Sequence, residues 1–221
     1  MNLLAIDCAS SFISVAVKKR DNIYYMETAT GSHSENVMTL IDDAIKEAAI
    51  LPSALNGVLC MEGPGSFTGL RIGYSIAKGL ALSLCVPIAA VPTLDCIAYS
   101  CRSGHHNTGT VLAVVQSIKK SWYYAFYQNG NPLKPATDAG TLEIEAEIKR
   151  FTAETGKVTL AGPGAISLFE SFPSESRENL VLECEKQGFA REMIFIAKAR
   201  DLLDNVNTVL YSGPEYIRSA V

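Results

Sequence analysis

Twice along this 221-residue chain a short apolar segment runs into Gly-Pro-Gly and then into a helical pattern. The first copy is Gly57 to Met61 followed by Gly63-Pro64-Gly65, and the second is Val158 to Ala161 followed by Gly162-Pro163-Gly164. The segments upstream also correspond. Leu3 to Ala9 reads as a buried strand, Phe12 to Val17 and Ile23 to Met26 as two more around the turn Arg20-Asp21-Asn22, and a helix begins near Ser34. In the second half, Val111 to Val115 and Trp122 to Tyr127 read as strands, Asn129-Gly130-Asn131 as a turn, and Leu142 to Phe151 as a helix. The order predicts a duplicated α/β fold of two halves, each a mixed sheet with flanking helices. Such a fold is expected to hold a ligand between its halves, where the two strand–turn sites face each other.

Composition limits the classes of function. Hydrophobic residues make up 48% of the chain, enough for a sizeable core. The net charge is −4 and the longest basic run is Lys18-Lys19-Arg20, so the footprint of an independent nucleic-acid binder is missing. The longest apolar run, Gly79 to Val91, contains Pro87 and falls short of the roughly 20 residues that span a bilayer. The N-terminal segment meets Asp7 after a few apolar residues and does not resemble a signal peptide. Six cysteines show no CxxC pair or zinc spacing, as expected in a reducing compartment. These features predict a cytoplasmic protein without a membrane segment.

Two places could carry chemistry. Asp7 ends a buried strand and meets Cys8, Ala9, Ser10 and Ser11. A turn there offers N–H groups and hydroxyls to a phosphate and a carboxylate to its magnesium, or it simply closes a hairpin as an Asx-turn. Gly63 and Gly65 lie at a strand–helix junction that can present unpaired N–H groups to an anion. Asp7, Ser10, Gly63 and Gly65 are therefore the candidate nucleotide-binding residues. The loop lacks the lysine of a P-loop and does not match G-x-S-x-G, which leaves Ser66 or Thr68 as a helix N-cap. His33, His105 and His106 lack the spacing that places two metal ligands on one face, so no metal site is expected.

The helix Thr68 to Leu84 carries only two charges, Arg71 and Lys78, while Leu70, Ile72, Ile76, Leu80, Leu82 and Leu84 spread apolar surface around its circumference. Gly69, Gly73 and Ala77 recur every four residues and predict a smooth groove for close approach of another helix. Either the rest of the chain covers both sides, or a partner completes one.

Taken together, Leu4-Ala5-Ile6-Asp7, His33-Ser34-Glu35, the run GPGSFTGLRIG from Gly63 to Gly73, Ala77-Lys78-Gly79-Leu80-Ala81, Val91-Pro92-Thr93-Leu94 and, more faintly, Pro214-Glu215-Tyr216-Ile217-Arg218 resemble the TsaB (YeaZ) family. The resemblance implies an actin/Hsp70-like (ASKHA) fold, with lobes of about 1–100 and 101–221 and the last residues returning to the first. It implies a scaffold role beside the catalytic protein TsaD and the ATPase TsaE in placing threonylcarbamoyl on the tRNA adenosine next to the anticodon. It also implies a homodimer when TsaD is absent, no catalytic residue or cofactor requirement of this chain's own, and ATP and magnesium at most at the complex. The implied partner interface is the first two helices, with Val37, Leu40, Ile41, Phe67, Leu70, Arg71, Tyr74 and Lys78. On that reading Leu70→Glu with Tyr74→Glu leaves the fold intact and breaks the complex. The chain departs from the family pattern at Gln116, where an acidic residue is expected, and at Lys119-Lys120, where a small residue is usual. The rival class is a self-standing ASKHA kinase or ATPase using Asp7; a glycoprotease lacks any visible nucleophile–base pair.

Overall fold

The computed structural model describes residues 1–29, 33–101, 109–117, 121–183, 188–204 and 208–214. The chain divides into two compact units, Met1–Thr93 with Gly188–Glu215, and Leu94–Gln187. The first contains β1 (Leu3–Asp7), β2 (Phe12–Lys19), β3 (Asn22–Ala29), α1 (His33–Glu47), β4 (Gly57–Gly63), α2 (Phe67–Leu84) and β5 (Ile88–Pro92). The chain changes unit inside α3 (Thr93–Ser100).

The second unit contains β6 (Thr110–Gln116), β7 (Ser121–Gln128), β8 (Asn131–Pro132), β9 (Thr137–Gly140), α4 (Thr141–Thr155), β10 (Val158–Ala161), α5 (Ala165–Ser171), α6 (Ser174–Arg177) and β11 (Leu180–Glu183). The chain then returns to the first unit with α7 (Ala190–Ala199) and α8 (Thr208–Tyr211).

The two sheets share one topology. The first runs β3-β2-β1-β4-β5, and the second, read from its other edge, runs β8-β7-β6-β10-β11, with β9 also on β7. In each, an antiparallel hairpin (β1 with β2, β6 with β7) leads into parallel pairs (β1 with β4 and β4 with β5, β6 with β10 and β10 with β11). The duplication read from the Gly-Pro-Gly repeats is therefore present in three dimensions. Its physical basis is visible at the first glycine of each copy: Gly63 has φ 120° and Gly162 φ 111°, a region that L side chains rarely adopt.

β1 is buried along its whole length, as a central strand covered on both faces must be. Leu4 and Ile6 join Val37, Ile41 and Ala44 of α1 and Tyr74, Ala77 and Ala81 of α2 in one core. The alternate residues Leu3, Ala5 and Asp7 point to the opposite face, where α7 packs on β1 and β2. In the second unit, Leu112, Val114, Phe126, Ile144, Ile148, Phe151 and Leu160 form a separate core, with Phe126 and Phe151 stacked at 4.2 Å between ring centroids.

Pattern reading missed β5, α3, β8, β9, α6, β11 and α8. Each is short, and Pro87, three residues beyond the end of α2, conceals that Ile88 begins a strand. α7 stops at Ala199, and two residues on Asp201 turns to φ 49°. His105, His106, Lys119, Lys120, Cys184 and the tail from Glu215 lie outside the described residues, as do the side chains of His33 and Ser34.

Candidate functional site

Asp7 is fully buried and its carboxylate is enclosed by partners from its own chain. The Ala9 N–H donates to Oδ1 at 2.9 Å, closing an Asx-turn. The Phe189 N–H donates to Oδ2 at 2.9 Å, and Ser14 Oγ lies 3.5 Å from the same oxygen. Ser14 Oγ in turn accepts from the Ala190 N–H at 3.1 Å. Ser14 faces Asp7 across the β1–β2 hairpin, so the pair caps the first N–H groups of α7 from more than 170 residues away. Gly188 must be small here, because a Cβ would come within 2.6 Å of both Ser14 Cβ and Tyr25 Oη. Burial pushes the Asp7 carboxyl up to about 6, outweighing the hydrogen bonds from Ala9, Phe189 and Ser14 that pull it down; nearby Glu192 raises it further.

The glycine loop closes onto the same turn. The Ser66 N–H donates to the Ala9 carbonyl at 2.7 Å, and a Cβ on Gly65 would lie 2.5 Å from that oxygen. Ser66 is the N-cap of α2, its Oγ accepting from the Gly69 N–H at 3.2 Å. Ser10 Oγ accepts from the Phe12 N–H at 3.1 Å. Gly65 thus meets the turn that carries Asp7 and Ser10, while Gly63 pairs with Pro92 of β5, and the Asp7 carboxylate and several of the surrounding N–H groups are committed within the chain. Each oxygen of this carboxylate already accepts a backbone N–H from the chain itself. Gln116, at the end of β6, is exposed. No group of three metal-ligating side chains is found among the described residues.

The eight interface candidates separate into two sets. Val37, Ile41, Leu70 and Tyr74 lie in the first unit's interior, each less than 5% exposed. They do not offer side chains to a partner, and the expectation that glutamate at Leu70 and Tyr74 spares the fold is corrected accordingly. Phe67 and Arg71 are exposed, and Leu40 and Lys78 are half-buried. Lys78 Nζ donates to the Ser212 carbonyl and so holds the chain's own C-terminal segment.

The small-residue groove of α2 is also filled from within. A Cβ on Gly69 would sit 1.9 Å from the Cys8 carbonyl oxygen, and Gly73 faces Cys8 Cβ and Sγ at 3.7 Å. Cys8, just past the end of β1, occupies it at Gly69 and Gly73. What α2 turns outward is a shallow concavity of about 420 Å³ lined by Phe67, Thr68, Arg71, Ile72, Ser75 and Ile76. The Arg71 guanidinium stacks 3.8 Å from the Phe67 ring centroid. Sequence reading had not found Ser14, Gly188 and Phe189, whose only local signals are a serine in an apolar strand and a glycine before a helix.

A family model described as "TsaD: tRNA N6-adenosine threonylcarbamoyltransferase" matches residues 26–182. The tRNA threonylcarbamoyladenosine biosynthesis protein TsaB of Escherichia coli (strain K12) is 29% identical over 228 residues, spanning 100% of this chain and 96% of that one. The protein of the same name from Bacillus subtilis (strain 168) is 31% identical over 135 residues, 60% of this chain and 58% of the relative. TsaB of Buchnera aphidicola subsp. Schizaphis graminum is 33% identical over 67% of this chain and 73% of its own length. In fold, the chain is similar to a Pseudomonas aeruginosa protein with similarity to peptidase YEAZ, with a TM-score of 0.81 at 21% identity over 98% of this chain and 99% of that one. A looser likeness of fold, TM-score 0.53 at 11% identity, joins it to an ADPNP-bound dehydratase activator from Clostridium difficile. With the duplicated sheets of an ASKHA fold, a family match over well more than half its length and these relatives, the chain belongs to the TsaB (YeaZ) family.

Proposed function

We propose that this chain is a non-catalytic subunit of a cytoplasmic assembly that forms threonylcarbamoyladenosine in tRNA, and that it binds and stabilises a TsaD-like protein there. The observation that carries this reading is the outward side of α2, where Phe67, Arg71, Ile72 and Ile76 leave apolar surface and a stacked guanidinium in one open concavity. A patch of aromatic, aliphatic and arginine side chains has the composition of an interface centre. Leu40 and Lys78 belong to the rim in this reading, and Val37, Ile41, Leu70 and Tyr74 support the two helices from beneath.

Chemistry belongs to the partners. The Asp7 turn holds α7, so ATP, magnesium and the threonylcarbamoyl intermediate are handled by the TsaD-like protein and a TsaE-like ATPase, and tRNA meets this subunit only through them. Without TsaD, a second copy covers the same patch and gives a homodimer.

The test is co-purification with the TsaD-like protein of the same organism, together with nucleoside analysis of tRNA after depletion. Phe67→Glu with Arg71→Glu, both at exposed positions, is expected to abolish capture and leave the circular dichroism spectrum unchanged, and depletion is expected to lower threonylcarbamoyladenosine. Unchanged modification after depletion, or saturable ATP turnover by the isolated chain that Asp7→Ala abolishes, would reject the proposal.

A further inference from the structure

At the opposite end of the first unit's sheet from Asp7, on the side that α7 covers, lies a cavity of about 500 Å³, a volume typical of small-molecule sites. None of its lining residues belongs to α1 or α2, so it is independent of the partner surface. Its floor is apolar and fixed: Leu3, Ala197 and Leu203 are buried, and Leu203 is pressed so close to the backbone that a Cβ on Gly57 would come within 2.9 Å of it.

Around this floor stand three cations, Lys18, Arg20 and Lys198, and three carboxylates, Asp21, Asp201 and Asp204. Among the described residues no salt bridge joins any two of them. Only Lys18 uses its side chain in a hydrogen bond, to the Arg20 carbonyl. The cavity thus carries charge of both signs that is not neutralised by salt bridges among these side chains.

Backbone conformation supplies a second, independent sign. Arg20 has φ 55° and Asp201 φ 49°. One sits in the two-residue β2–β3 turn and the other just past the end of α7, and at both places glycine adopts this conformation without steric cost. A charged residue there carries strain of about 1 kcal/mol and keeps a charge at the cavity mouth.

We propose that this cavity binds a small zwitterion with an aliphatic body, of amino-acid to dipeptide size. Arg20 and Lys18 receive its carboxylate. Asp201 and Asp204 receive its ammonium beside the C-terminal end of α7, where the helix dipole also favours a cation. The aliphatic body rests on Leu3 and Leu203.

The test is calorimetric titration of the full chain with L-leucine and glycyl-L-leucine, against the single-charge analogues N-acetyl-L-leucine and L-leucinamide. Saturable binding of a zwitterion is expected, at least about tenfold tighter than that of either analogue. Arg20→Gly and Asp201→Gly are each expected to weaken it by about tenfold while Tm stays level or rises, because glycine relieves the backbone. No saturation at millimolar concentration, equal binding of the single-charge analogues, undiminished binding in both glycine variants, or a lower Tm in both would overturn the assignment.

Discussion

The buried carboxyl of Asp7 makes the stability of this protein depend on pH in a direction opposite to that of a salt-bridged aspartate. Raised from 3.8 to about 6 by burial, it binds its proton more tightly folded than unfolded. At pH below about 3.8 it is protonated in both states, and its full relative contribution to stability is present. As pH rises towards about 6 the unfolded chain ionises while the folded chain resists, so stability falls; above that the buried charge is borne in full. The interval corresponds to about 3 kcal/mol. Urea unfolding of the wild type and of Asp7→Asn at pH 4 and pH 7 isolates this contribution, because other titrating groups cancel in the difference. At pH 4 the variant is expected to be less stable by about 1 to 2 kcal/mol, since one amide cannot accept both from Ala9 and from Phe189 without facing its NH2 towards a donor. By pH 7 that disadvantage is expected to shrink or reverse, moving by about 2 kcal/mol, because pH 4 already lies above the unfolded value of 3.8. A difference that stays constant with pH, or one that widens as pH rises, would refute the reasoning that burial dominates the Asp7 environment.

Gly69→Ala is expected to lower Tm strongly, because its Cβ would lie 1.9 Å from the Cys8 carbonyl oxygen, whereas Gly73→Ala, with 3.7 Å of room, is expected to be neutral or stabilising by up to about 1 kcal/mol through helix propensity. Thermal denaturation of the two variants side by side checks the claim that Cys8 fills the α2 groove. Leu70→Glu or Tyr74→Glu is expected to prevent stable folding, since either puts a carboxylate into a site now 2% or 4% exposed; circular dichroism and soluble yield are the readouts.

Periodicity and turn chemistry made much of the frame legible. The apolar stretch Phe12 to Val17, the 3-4 spacing of Val37, Ile41, Ala44 and Ala48, and Ser66 ahead of α2 are local properties, and the repeated Gly63 and Gly162 mark backbone that only glycine takes without strain. These amounted to two copies of one topology and a recognisable family. Which side of α2 faces inward was not local. Apolar residues all round a helix say that it needs cover and nothing about where the cover comes from, and only the tertiary structure shows Cys8 against Gly69 and Gly73, with Leu70 and Tyr74 inside. The partners of Asp7 were not local either. A carboxylate at a strand end with hydroxyls nearby suits magnesium or a cap equally well by its chemistry, and the N–H groups of Phe189 and Ala190 that meet Asp7 and Ser14 are brought there by the chain's return. Sequence thus determined the repeated framework through short-range sterics and patterning; tertiary structure alone decided which surfaces and polar groups remain available, because burial depends on residues distant along the chain.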